Sequence, residues 1–176
     1  MAVRLDQTYS ESNVDVDQTI HYSAALADEI GQTFTPTITG EIPYVDLWLK
    51  KVGTPTGNIS VEIRNASSNL PSTTIHATSD AIDATSLSTS YAKVRFTFST
   101  PYEVTASTQY ALTTLVTYNY STSTNNVLWG ADLTPGYSGG QDAFLNSGTW
   151  ETNSRDCAFD QYVTVPGGLD LTSKFW

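Results

Sequence analysis

Two histidines, one cysteine and eighteen acidic side chains are the groups in this 176-residue sequence best placed for chemistry near neutral pH. His21 and His76 lie far apart, and neither has a companion at metal-ligand spacing, so a zinc centre is not expected. The lone Cys157 excludes an internal disulfide and a multi-cysteine zinc site, and it reads as a small core residue. Glycoside hydrolysis needs two carboxylates converging in a cleft, one with a raised pKa. The acids here are scattered over turns and outer strand faces, so no catalytic residue is assigned and the chain is read as a non-enzyme. No cofactor is implied beyond a structural calcium ion. Its candidate ligands are Asp80 and Asp83, or Asp132 and Asp142 beside a glycine-rich turn. The simpler reading is that these acids cap turns.

The aromatic residues offer a different chemistry. Sugar-binding sandwiches stack pyranose faces on Trp or Tyr while polar side chains read the hydroxyls. Trp48, Trp129, Tyr137 and Trp150 are the candidates for such a platform. The competing reading has them filling the ends of a core or a subunit contact.

Strands must position these residues, because helical periodicity is nearly absent. Ser23–Glu29 suggests at most a single turn. Val45, Leu47 and Leu49 alternate with Tyr44, Asp46, Trp48 and Lys50; Ile59, Val61 and Ile63 alternate with Ser60, Glu62 and Arg64; Val94, Phe96 and Phe98 alternate with Lys93, Arg95 and Thr97. Period two with one apolar face marks antiparallel strands over a core. Strands are expected near 30–35, 41–51, 57–65, 73–79, 91–99, 107–117, 126–131, 142–146 and 156–164. Gly53–Asn58 is expected to close a hairpin, and Asn69–Ser72 and Gly136–Gly140 to be further connections. The fold class is all-β: an antiparallel, jelly-roll-like β-sandwich of eight or nine strands. Residues 1–27 are expected to form a polar N-terminal arm, 28–165 the sandwich, and 166–176 a C-terminal tail. In that tail Leu169, Leu171, Phe175 and Trp176 are the expected assembly contacts, since exposed aromatics usually need a partner.

A net charge of -10 argues against nucleic acid and against anionic membrane surfaces. No apolar run approaches the roughly 20 residues that span a bilayer, and the N-terminus lacks the basic and apolar pattern of a secretory signal.

Gly31–Pro36 and the run Val45–Arg64, with its Gly53-Thr54-Pro55-Thr56-Gly57-Asn58 turn, resemble the choice-of-anchor R type domain. The likeness continues through Ile82–Tyr91, Val94–Phe98, Tyr110-Ala111-Leu112, Trp129-Gly130, Tyr137–Gly140, Trp150 and Asp156–Phe159. The resemblance implies a β-sandwich of bacterial, archaeal and phage surface proteins, and it brings no catalytic residues. With no export signal in view, the expectation is a virion structural protein made in the host cytoplasm. It would be a capsid decoration or fibre-associated module of a tailed phage, displayed on the virion surface. Its partners would be protein subunits of the particle, with self-association, as in a trimer, matching a shell's symmetry. The alternative is a carbohydrate-binding module for host or cell-surface glycans.

Overall fold

The computed structural model describes residues 1–20, 29–117 and 124–165. The suggested turn at 23–28, His21, Tyr118, Tyr120 and the 166–176 tail lie outside the described residues. Fourteen strands are present among those described. They are β1 (Ala2–Tyr9), β2 (Val16–Ile20), β3 (Ile30–Phe34), β4 (Gly40–Val52), β5 (Asn58–Ser67), β6 (Leu70–Thr78) and β7 (Ile82–Asp83), then β8 (Ala92–Val104), β9 (Tyr110–Val116), β10 (Asn126–Asp132), β11 (Asp142–Asn146), β12 (Thr149–Glu151), β13 (Asp156–Cys157) and β14 (Phe159–Val165).

Every pairing is antiparallel, and the strands form two sheets. In the first, β4 is central. It pairs with β8 along one edge, and with β14 and then β10 along the other; β1 continues from β14, and β2 and β13 from β10. The second runs β12-β11-β3-β9-β5-β6, with β7 beside β5. Successive segments repeatedly change sheet (β3 to β4, β4 to β5, β8 to β9, β9 to β10, β10 to β11), which gives the jelly-roll-like character. The expected all-β sandwich is the observed fold.

The core lies between the sheets. Val45, Leu47, Leu49, Phe96, Trp129 and Phe159 come from the first, and Phe34, Ile59, Val61, Ile63 and Leu112 from the second; all are fully buried. Phe34 and Phe159 meet across the layers with ring centroids 6.4 Å apart. Each such side chain removed from water stabilises by about 1.5–3 kcal/mol, so the alternating apolar positions account for the layering.

Three expectations need correction. Of the expected arm at 1–27, the described residues 1–20 are not an arm. β1 pairs with β14 from Ala2↔Val165 to Tyr9↔Phe159, and β2 pairs with β10. Satisfying the backbone of both sheet margins requires these strands. Second, Gly53–Asn58 does not close a hairpin, because β4 and β5 belong to different sheets. Gly53 sits at φ +70, and a Cβ there would lie 1.5 Å from the Thr124 carbonyl oxygen, so another backbone segment packs against the turn and the chain crosses over. Third, the turn near 69 is tighter than expected. Ser68 and Asn69 take φ of 53 and 63, and β6 starts at Leu70. Pro71 is accommodated because β6 is an edge strand.

Candidate functional site

The outer face of the first sheet carries a polar and aromatic row built by register. Arg95 on β8 lies opposite Asp46 on β4, Asp46 opposite Asp160 on β14, and Asp160 opposite Thr8 on β1. Two carboxylates directly opposite each other repel, and each has its own base from β8. Arg95 grips Asp46 with Nε–Oδ1 at 2.8 Å and Nη2–Oδ2 at 2.9 Å. Lys93 reaches Asp160 Oδ2 at 2.7 Å, and Thr8 donates to Asp160 Oδ1 at 2.6 Å. These contacts raise the pKa of both bases, chiefly through the hydrogen bonds to Asp160 and Asp46.

Aromatic rings flank the row. Tyr44 and Tyr162 lie with centroids 4.7 Å apart, and the Arg95 guanidinium sits 3.8 Å from the centre of the Tyr44 ring. Lys93 Nζ lies 4.6 Å from the Trp48 ring centre. Burial, then the carboxylate of Asp160, raises the Tyr162 pKa. The carboxylates are sunk and the cations stand out: the side chains of Arg95 and Lys93 are 52% and 45% exposed, against 1% and 7% for Asp46 and Asp160. The row is a charge-balanced set of hydrogen-bond donors, fixed by buried acceptors and bordered by aromatic faces.

The residues proposed from sequence are placed unevenly. Trp48 does point to the outer face, as alternation requires, but it is buried there, because its indole N–H donates to Glu11 and Lys93 covers the ring. Trp129 is a core residue whose indole donates to the Ala158 carbonyl at 2.8 Å. Tyr137 closes one end of the sandwich: it packs edge-on against Phe159 at 5.3 Å and donates to Gln7 Oε1 at 2.7 Å. Trp129 and Tyr137 therefore do not form a surface platform, for the physical reason that their rings are used internally. Trp150 is half-buried on β12, with the Arg64 guanidinium 5.9 Å from its ring centre. Arg64 is bound to Glu62 at 2.6 Å and Glu29 at 2.9 Å, an ion cluster on the second sheet whose Arg64 and Glu62 side chains are only 10% and 5% exposed. Accessible donors favour the first sheet's row over this cluster.

The two pairs considered for calcium, Asp80 with Asp83 and Asp132 with Asp142, are engaged separately. Asp80 accepts from Ser99, and Asp83 caps a short turn through the Thr85 amide at 2.8 Å, which lowers its pKa. Asp132 accepts from Tyr9 at 2.6 Å and from the Thr134 amide at 2.7 Å, while Asp142 is interior on the other sheet. Among the described residues no three His, Cys, Asp or Glu side chains converge as metal ligands.

His76 stacks on Tyr102 with centroids 4.2 Å apart, and its ring bonds Asn65 at 2.7 Å. Gly136-Tyr137-Ser138-Gly139-Gly140 has the Gly-x-Ser-x-Gly spacing of a nucleophile elbow, but it joins β10 to β11 instead of a strand to a helix. The row residues Tyr44, Asp46, Lys93, Arg95, Asp160 and Tyr162 were not singled out by sequence. The available signal was the outward set of two alternating runs; the missing fact was that β14 lies beside β4.

No family model and no curated protein sequence matches this chain. Among solved structures it is similar to a chain comprising the cysteine protease and lectin-like domains of a surface-layer associated protein of Clostridium difficile. The TM-score is 0.56 at 8% sequence identity, over 89% of this chain and 37% of that one. At that identity the likeness is one of fold.

Proposed function

We propose that the protein is a non-catalytic carbohydrate-binding module that receives a neutral glycan on the outer face of the first sheet. The observation that carries this reading is the row Arg95-Asp46-Asp160-Thr8, with Lys93 beside it and Tyr44 and Tyr162 at its border. Pre-fixed donors lose little entropy when they meet sugar hydroxyls, and tyrosine rings suit the apolar faces of pyranoses. The row is locally neutral while the chain carries -10, which disfavours polyanionic ligands. Both carboxylates are held by bases, an arrangement suited to holding a ligand more than to acid catalysis. The fold likeness to a chain with a lectin-like domain supports the same class.

An immobilised panel of neutral polysaccharides tests it. Wild type should bind at least one member, and Tyr162→Ala and Lys93→Ala should each weaken binding at least tenfold at a temperature where circular dichroism shows the variant still folded. Retention of full binding by both variants would place the site elsewhere.

Assembly in a particle is the second reading, and one observation favours it. The edge strand β1 leaves Val3 and Leu5 about half exposed, with Met1 beyond them, and an apolar edge invites pairing. It predicts a concentration-dependent mass in light scattering that Leu5→Lys abolishes. A constant monomer mass would remove this reading.

A further inference from the structure

Two carboxylates face the interior at one end of the sandwich. Asp142 opens β11 in the second sheet and Asp156 opens β13 in the first, and both residues are 0% exposed. Asp142 Oδ1 accepts from the Asn153 and Arg155 amides at 3.2 and 3.3 Å, while its Oδ2 is enclosed and has no hydrogen-bond partner. Asp156 Oδ2 accepts from the Tyr137 amide at 2.9 Å, and Oδ1 takes a long 3.4 Å bond from Gln32 Nε2. Gln32 is the cross-strand partner of Asp142, so it stands between the two acids, with its Oε1 receiving the Cys157 amide at 2.6 Å.

Neither acid has an ion pair with a base among the described residues. Arg155 attracts Asp142 electrostatically, but its guanidinium is bonded to Gln18 at 2.6 Å. Burying one unpaired carboxylate is costly, and two that repel each other are costlier still. The neighbours feel the same field. Burial first, and then both acids, push up the Cys157 thiol, and burial first, then Asp132 and after it Asp156, raises Tyr9. The enclosed oxygen of Asp142 marks where a positive charge is lacking.

We propose that Asp142 and Asp156 are the paired carboxylate ligands of a structural calcium ion that ties β11 to β13 across the sandwich. Two carboxylates balance a divalent charge. The two carboxylates offer oxygen, which suits a hard cation, and calcium tolerates irregular coordination, the rest of its shell having to come from main-chain oxygen and water. Magnesium, which keeps its water shell and demands an octahedron, fits a closed interior poorly. Asp132, engaged by Tyr9 and Thr134, stays outside the ligand pair.

The test is calcium titration of chelator-treated full-length protein, read by unfolding temperature and by equilibrium dialysis with calcium alone. Wild type should bind about one ion, and its Tm should rise by about 5–10 °C at a hundredfold excess over Kd, with a smaller response to magnesium. Asp142→Asn should remove that response while leaving the calcium-free Tm equal to or above wild type, because one buried charge has gone. Asp156→Asn, measured in parallel, should also lose the response. No calcium binding at millimolar concentration by wild type would overturn the proposal. So would a full response in both variants, which would move the ion to another site.

Discussion

Replacing Arg95 by Met leaves Asp46 as a carboxylate of 1% side-chain exposure whose two arginine bonds, at 2.8 and 2.9 Å, are gone. It also leaves Asp46 facing Asp160 directly across the strand pair, with Lys93, held on Asp160, as the cation that remains. Hydrogen bonds to charged groups contribute about 1.5–3 kcal/mol each, and stranding one partner of a buried pair costs about 3–5 kcal/mol. The guanidinium is 52% exposed, so solvent already screens much of the attraction. The estimate therefore falls to about 2–3 kcal/mol, including about 0.5–1 kcal/mol for the contact with Tyr44. For a domain of this length that is a fall in Tm of about 4–12 °C. Urea unfolding followed by tryptophan fluorescence gives the free energy directly. Adding Asp46→Asn to the Arg95→Met background removes the stranded charge and should recover part of the loss. A single variant within about 0.5 kcal/mol of wild type, or a double variant no better than the single, would refute the argument that a buried acid is held by an exposed base.

Three further outcomes follow from the same structure. Burial pushes Asp156 up to about 6 and raises Asp142, so the folded chain holds these protons more tightly than the unfolded chain does. Their destabilising share is then present above pH 6 and fades as pH falls toward the ordinary carboxyl range near about 4. In chelator, the urea midpoint should rise between about pH 7 and pH 5 and rise less in Asp156→Asn; a wild-type midpoint that falls over this window contradicts the assignment. Cys157 is buried, with its thiol held well up by burial, so it should resist a thiol reagent in the native protein and react promptly in denaturant. Fast labelling without denaturant would show that β13 opens. A Cβ at Gly140 would lie 2.0 Å from the Thr33 carbonyl oxygen, so Gly140→Ala should cost at least about 2 kcal/mol. An unchanged unfolding midpoint would mean that the β10–β11 loop is not packed on β3.

The strands that read clearly in sequence are those with one unbroken apolar face. Val45-Leu47-Leu49 and Ile59-Val61-Ile63 all enter the core, as their alternation demands. β1 escaped because its period slips. Leu5 pairs with Tyr162 and Gln7 with Gln161, so Asp6 is an extra residue; Val3 and Leu5 face out while Gln7 and Tyr9 face in. The Gly53–Asn58 turn misled for another reason. Glycine and proline announce a change of direction, but whether the flanking strands pair depends on what packs on Gly53, here a backbone far along the chain.

The site was less legible than the fold. Alternation fixed that Asp46 and Trp48 point outward, but three facts depend on long-range pairing: that Glu11 covers Trp48, that Asp160 stands beside Asp46, and that Asp156 reaches Gln32. Aromatic type alone also ranked Trp129 with Trp150, although the former donates to Ala158 inside the core and the latter borders the surface.

Amide chemical-shift mapping of isotope-labelled protein against neutral oligosaccharides cut from glucan, mannan, xylan and galactan tests the glycan assignment most directly. Saturable shifts are expected from at least one of them, concentrated on residues 44–48 of β4, 93–97 of β8 and 160–162 of β14. Saturable shifts centred on β12 and Trp150, or none with any of the four, would contradict it.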